Sequence, residues 1–194
     1  MILSPGAFAR LGALIVAVVV LQLSGLGPIR ILGGHFDLVP LLVAAIGLYA
    51  GSVPGAATGF ATGVFLDLSL GQYMGASALV LTAVGYGVGR FRELQDPAHG
   101  LLPIAVGAVA SAAYLLAFAA VSFMLQFDAS VSPLVLRDIL LTTLLNAIVA
   151  LPVFAAVRRV MGPSLAVDPS ELRRRRRPPQ EAGPIGLRGL SVDR

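Results

Sequence analysis

The chain has 194 residues; 57% are hydrophobic before its 22 Gly are counted, and 12% are charged. Soluble domains carry about twice that share of charge, roughly 25%, so with a mean hydropathy of +0.88 a soluble globular fold and wholesale disorder are both excluded and the chain belongs in a bilayer. The net charge of +4 comes without any Lys or Cys, which excludes disulfides, thiolate metal sites and Cys nucleophiles.

The first apolar run, Leu11 to Leu26, follows Arg10 and continues into Gly27-Pro28-Ile29-Arg30 with no small-x-small cleavage site. It reads as an uncleaved membrane helix over about 8–27. His35 and Asp37 then form an interfacial polar loop; two such residues alone do not make a metal site. Leu38 to Leu66 is a run of 29 uncharged residues, about 43 Å as one helix against a hydrocarbon core of roughly 30 Å. Gly51-Ser52-Val53-Pro54-Gly55 divides it, which predicts helices at about 38–51 and 54–70. The first of these is short for a span. Further helices are predicted at 74–89, 101–126 and 133–157.

The predicted fold is therefore all-α, a polytopic membrane protein with about six transmembrane helices in residues 1–161 and a mostly disordered, Arg- and Pro-rich tail over 162–194. With six helices and a cytoplasmic N-terminus, 12 of the 14 Arg lie inside, leaving Arg30 and Arg137 outside. A five-helix chain with its N-terminus outside scores the same, since it only exchanges Arg10 for Arg30. Either way the C-terminus is cytoplasmic and Asp67 lies at the extracytoplasmic end, opposite Arg90. The tail run Arg173, Arg174, Arg175, Arg176 and Arg177 is a topology signal, and it also suits anionic lipid headgroups. No folded basic domain with interleaved aromatics points to nucleic acid.

Gly51, Gly55, Gly59, Gly63, Gly71 and Gly75 recur in steps of four, with Asp67 on the missing rung. Four residues turn about 400°, so Gly55, Gly59 and Gly63 line one narrow helix face. Such a face lets helix backbones approach closely in lipid, either within the chain or with a partner helix. Thr58 and Thr62 beside it are placed for interhelical hydrogen bonds. Asp67 is the only charged residue between Asp37 and Arg90. It reads either as a pairing site or as a helix-end carboxylate, facing water or capping the following segment. Asn146, in the middle of the sixth helix, is its expected internal partner.

The chemistry of a membrane enzyme is missing from the pattern. There is no G-x-S-x-G, no H-E-x-x-H and no cluster of intramembrane acids, and a P-loop cannot occur without Lys. No catalytic residue, metal site or cofactor is expected.

Asp37-Leu38-Val39-Pro40-Leu41-Leu42, then Gly59-Phe60-Ala61-Thr62-Gly63-Val64-Phe65-Leu66-Asp67, then Gly71, Gly75, Ala78-Leu79 and Gly85-Tyr86 resemble MreD, the family of rod shape-determining membrane proteins. The resemblance covers roughly residues 8–160. Phe36 stands where the family usually has Pro. The resemblance implies a non-enzymatic scaffold of the cell-elongation machinery in the bacterial cytoplasmic membrane. Its partners would be MreC-like, RodA-like and transpeptidase membrane proteins and, indirectly, the MreB cytoskeleton. It also implies a distant likeness to the substrate-binding subunits of energy-coupling-factor transporters, so the alternative function is a subunit for vitamin uptake. The residues expected to pack helices or touch partners are Gly55, Gly59, Phe60, Gly63, Asp67, Gly71, Gly75 and Asn146.

Overall fold

A computed structural model of the chain describes residues 5–26, 30–31, 33–71, 75–94, 102–124 and 133–165. Among these, the chain forms α1 (Pro5–Leu21), which continues as a π-helical turn over Gln22–Leu26, then a small hairpin of β1 (Arg30–Ile31) and β2 (Gly34–His35). Next come α2 (Leu38–Ala50), α3 (Ser52–Leu70), α4 (Ala76–Leu94), α5 (Leu102–Met124) and α6 (Pro133–Leu165). The regular structure of the described residues is all-helical apart from the hairpin, which pairs Arg30 with His35 and Ile31 with Gly34. The tail run Arg173 to Arg177 lies outside the described residues.

Among the described residues, four helices are long and apolar enough to cross a membrane: Phe8–Gly25, Ser52–Leu70, Leu102–Met124 and Val135–Gly162. Helix α2 is different. Its 13 residues measure about 20 Å, short of a bilayer core, and every residue from Leu38 to Leu48 is buried. It touches all five other helices. An all-round apolar helix of this length is the hub of the bundle, because each of its faces has a neighbour to pack against. Leu41, Leu42 and Ile46 of α2, with Phe154, Val157 and Met161 of α6, are at the centre of the core.

The α2–α3 break is made by Gly51. It holds φ 103° and ψ −176°, a region essentially restricted to glycine. The sequence pattern placed the start of the next helix at Pro54, and α3 begins two residues earlier, at Ser52. Pro54 sits in the first turn of α3, where its missing N–H would have had no intrahelical partner anyway. The corner is locked from α4: Glu93 Oε1 accepts from the Ser52 N–H at 3.0 Å and the Ser52 hydroxyl at 2.6 Å, while Arg90 holds the other oxygen at 3.1 Å. At the far end of the chain, α6 runs through Arg158 and Arg159 to Leu165, beyond the expected stop at 157.

Candidate functional site

The glycine ladder is consumed by the α3–α4 pair. A Cβ at Gly59 would collide with the main chain of Leu81, one at Gly63 with that of Ala78, and one at Gly55 with that of Gly85. The contact is reciprocal: a Cβ on Gly85 would strike Gly55, and one on Gly89 would strike Ser52. Gly47 of α2 joins the same seam, facing the Gly85 carbonyl and the Gly89 amide. Three helices thus meet backbone to backbone, which is possible only without side chains. Gly47 and Gly89 were not singled out in the sequence, and Gly85 only as part of the resemblance, although Gly85 and Gly89 are themselves four residues apart. Gly71 and Gly75 play another part. They carry positive φ of 65° and 96° in the turn between α3 and α4, and a Cβ on either would meet nothing within 4 Å.

Thr58 and Thr62 do not bridge helices. Each hydroxyl donates to the carbonyl four residues back, Pro54 and Thr58 respectively, at 2.7 Å. The short hydroxyl reaches its own helix more readily than a neighbour. Phe60, on the other side of α3, is 58% exposed.

Asp67 clamps the open end of the seam. It is buried, and its Oδ2 accepts the main-chain N–H groups of Gly75 at 2.8 Å and Ala78 at 3.3 Å. These are orphan donors at the start of α4, where the positive end of the helix dipole favours a carboxylate. Of the readings open in the sequence, this is the cap of the following segment, delivered from the preceding helix. Its expected partner, Asn146, is engaged elsewhere.

Asn146 organises a polar layer at the buried N-terminus of α2. Its Oδ1 accepts the Asp37 N–H at 3.0 Å, and its Nδ2 donates to Ser111 Oγ on α5 at 3.0 Å. Asp37 caps α2 by accepting the Val39 N–H at 3.3 Å. Gln22, in the π-helical turn after α1, grips the same chain from the other side. Its Nε2 donates to the Phe36 carbonyl at 2.8 Å and its Oε1 accepts the Leu38 N–H at 2.9 Å. The backbone entering α2 is thereby satisfied by two side-chain amides, as a buried helix start requires. Tyr114 of α5 lies beside Ser77 and within electrostatic reach of both Asp37 and Asp67, so this layer extends toward the α3–α4 clamp.

The segment leading into α2 runs along α6. Gly33 lies against Asp138, a Cβ on Gly34 would come within 2.9 Å of the Leu141 and Thr142 main chain, and the His35 N–H donates to Thr142 Oγ1 at 3.2 Å. The polar loop expected around His35 and Asp37 is thus folded onto a helix. The His35 pKa is lowered, first by burial and then by the charge of Arg30, with Asp138 opposing. Gln22 and Ser111 were missed by sequence reasoning. The available signal was a lone amide inside the first apolar run, but its partner is a main chain 14 residues away.

Chemically, the layer around Asn146 is built from hydrogen bonds within the chain. Among the described residues no group of three or more His, Cys, Asp or Glu is placed to hold a metal ion. Compared with known proteins, the chain matches no family model, no curated protein and no solved structure.

Proposed function

We propose that this chain is a non-enzymatic scaffold of the bacterial cell-elongation machinery, as its resemblance to MreD implies. The observation that carries this reading is the use made of the G-F-x-x-G-x-x-x-D segment. Gly59 and Gly63 bring α3 onto α4, and Asp67 ties the end of the pair. The segment that carries the resemblance is therefore an assembly element, shaped for a rigid membrane wedge rather than for turnover.

In this reading all six helices belong to the membrane bundle, with α2 as its short inner member. The protein sits in the cytoplasmic membrane with both termini inside, and Arg90, Arg92, Arg158 and Arg159 face the cytoplasm. Its partners are MreC-like, RodA-like and transpeptidase membrane proteins and, through them, the MreB cytoskeleton. Arg173 to Arg177 contact anionic lipid. The resemblance to MreD also implies a distant likeness to the substrate-binding subunits of energy-coupling-factor transporters. A vitamin site, however, needs several convergent polar groups. The two described grooves are apolar, with Asp67 and Thr82 the polar side chains in one of them, which favours the scaffold.

The test is depletion in the native bacterium, with cell shape and new wall insertion imaged beside vitamin uptake. Rounded cells with misplaced insertion and normal uptake are expected. Retained shape with loss of uptake of one vitamin would overturn the reading in favour of the transporter.

A further inference from the structure

Two grooves open on the sides of the bundle. One, of about 510 Å³ between α4 and α5, is walled only by apolar side chains and Gly, and nothing in it selects an occupant. The other, of about 640 Å³, lies along α3 and α4 and is walled by Phe60, Val64, Leu68, Leu79, Thr82 and Asp67, among others. Phe60, Val64, Asp67 and Leu68 follow one another at steps of four, three and one along α3, the i, i+4, i+7, i+8 stripe by which one helix packs on another. Phe60, Leu68 and Leu79 are 58%, 58% and 66% exposed, so this ridge is left uncovered by the described residues.

The groove also holds an uncommitted carboxylate oxygen. Both hydrogen bonds to Asp67 go to Oδ2. Oδ1 accepts none from any described residue, although Asp67 is only 4% exposed and lines the groove. A carboxyl oxygen with no hydrogen bond from a described residue, set in apolar surroundings, favours an occupant that brings a donor. Asp67 lies one turn before the end of α3 at Leu70, within reach of a long basic side chain on an adjacent helix.

We propose that this groove docks a transmembrane helix of another protein, and that the helix places an Arg or Lys against Asp67 Oδ1. The glycine seam cannot serve, because α4 already fills it. The proposal deepens the scaffold reading and rests on it for the existence of a membrane partner.

The chain has no Cys, so Leu79→Cys can carry a photoreactive maleimide in native membranes, with Leu144→Cys and Ile148→Cys on the exposed face of α6 as controls. The expected result is one heteromeric adduct from Leu79, absent from the controls and mapped by mass spectrometry to a transmembrane segment bearing Arg or Lys. Asp67→Asn should lower its yield at least about tenfold. Neutralising the partner's basic residue should do the same, and the two changes together should cost no more than either alone. Thr82→Phe fills the groove without touching the Asp67 clamp and should also abolish the adduct, which keeps the test decisive if Asp67→Asn accumulates poorly. An adduct with a second copy of this chain, labelling of lipid alone, yields equal to the α6 controls, or full yield in Thr82→Phe would overturn the proposal. The mapped adduct in cells that keep their shape on depletion would leave the docking standing and the elongation reading fallen. Rounded cells without the adduct would do the reverse.

Discussion

Helices α1 and α3 are both apolar enough to cross a bilayer, yet they are held by different means. Of the α1 window Phe8–Gly25, 11% is buried inside the protein, against 39% of Ser52–Leu70. Val16, Val20 and Leu21 of α1 are about half exposed, and its described hydrogen-bonded tie to the bundle is the Gln22 amide on the chain entering α2. Helix α3 lies against the α4 main chain at Gly55, Gly59 and Gly63. In lipid, bulky apolar side chains gain nothing by leaving their surroundings, since acyl chains are as apolar as Leu. They make a helix soluble in the membrane, whereas close backbone approach and satisfied polar groups join it to its neighbours.

The sharpest way to break this contrast is Gly59→Leu. Its side chain has nowhere to go but into the Leu81 main chain, and the expected outcome is loss of a monodisperse peak on size exclusion in detergent. Gly59→Ala should cost about 1–3 kcal/mol by overpacking. Gly12→Ala on α1, where a Cβ meets nothing within 4 Å, should be neutral or stabilising by up to about 1 kcal/mol. Thermal unfolding of the two alanine variants side by side checks both; equal losses would sink the contrast.

Asn146→Leu comes next. It strands the Asp37 N–H and removes the donor to Ser111, an expected loss of about 1–3 kcal/mol. Gln22→Leu removes the described tie of α1 and should cost about 1–2 kcal/mol. The two are separated by hydrogen exchange: Gln22→Leu should raise exchange at Leu38 while leaving the α3–α4 amides protected. Asp67→Asn keeps an acceptor for Gly75 and Ala78 and loses only the charge at the α4 N-terminus, so about 1 kcal/mol or less is expected in thermal unfolding.

The smallest effect belongs to His35. Its folded pKa lies below the ordinary 6.5, so its contribution is fully present above pH 6.5 and is lost as pH falls through the lowered value. Thermal stability should decline on acidification from pH 6.5, and His35→Gln should flatten that slope.

The positions of the helices were legible because they rest on runs of apolar residues bounded by Gly, Pro and Arg. The α3 face was legible because Gly55, Gly59 and Gly63 repeat at the period of the helix. The other side of the seam was harder to read. Gly85 and Gly89 repeat in the same way, but Leu81 and Ala78 oppose Gly59 and Gly63 through their main chains, which have no sequence signature. The exchange of Asn146 from Asp67 to Asp37 has the same cause. The sequence offers polar groups at suitable depths, and which pair meets depends on how far α2 is inserted.

By itself the sequence determined a membrane-embedded all-helical chain, the break between α2 and α3, and a narrow glycine face with an acid in phase, because hydropathy and helical period are properties of neighbouring residues. Only the tertiary structure decided that the glycine face belongs to α4, that Asp67 caps a helix other than its own, and that α2 is a buried hub entered through Gln22 and Asn146. Those outcomes turn on contacts to main-chain atoms distant in sequence, and every residue type but Pro has the same main-chain donor and acceptor.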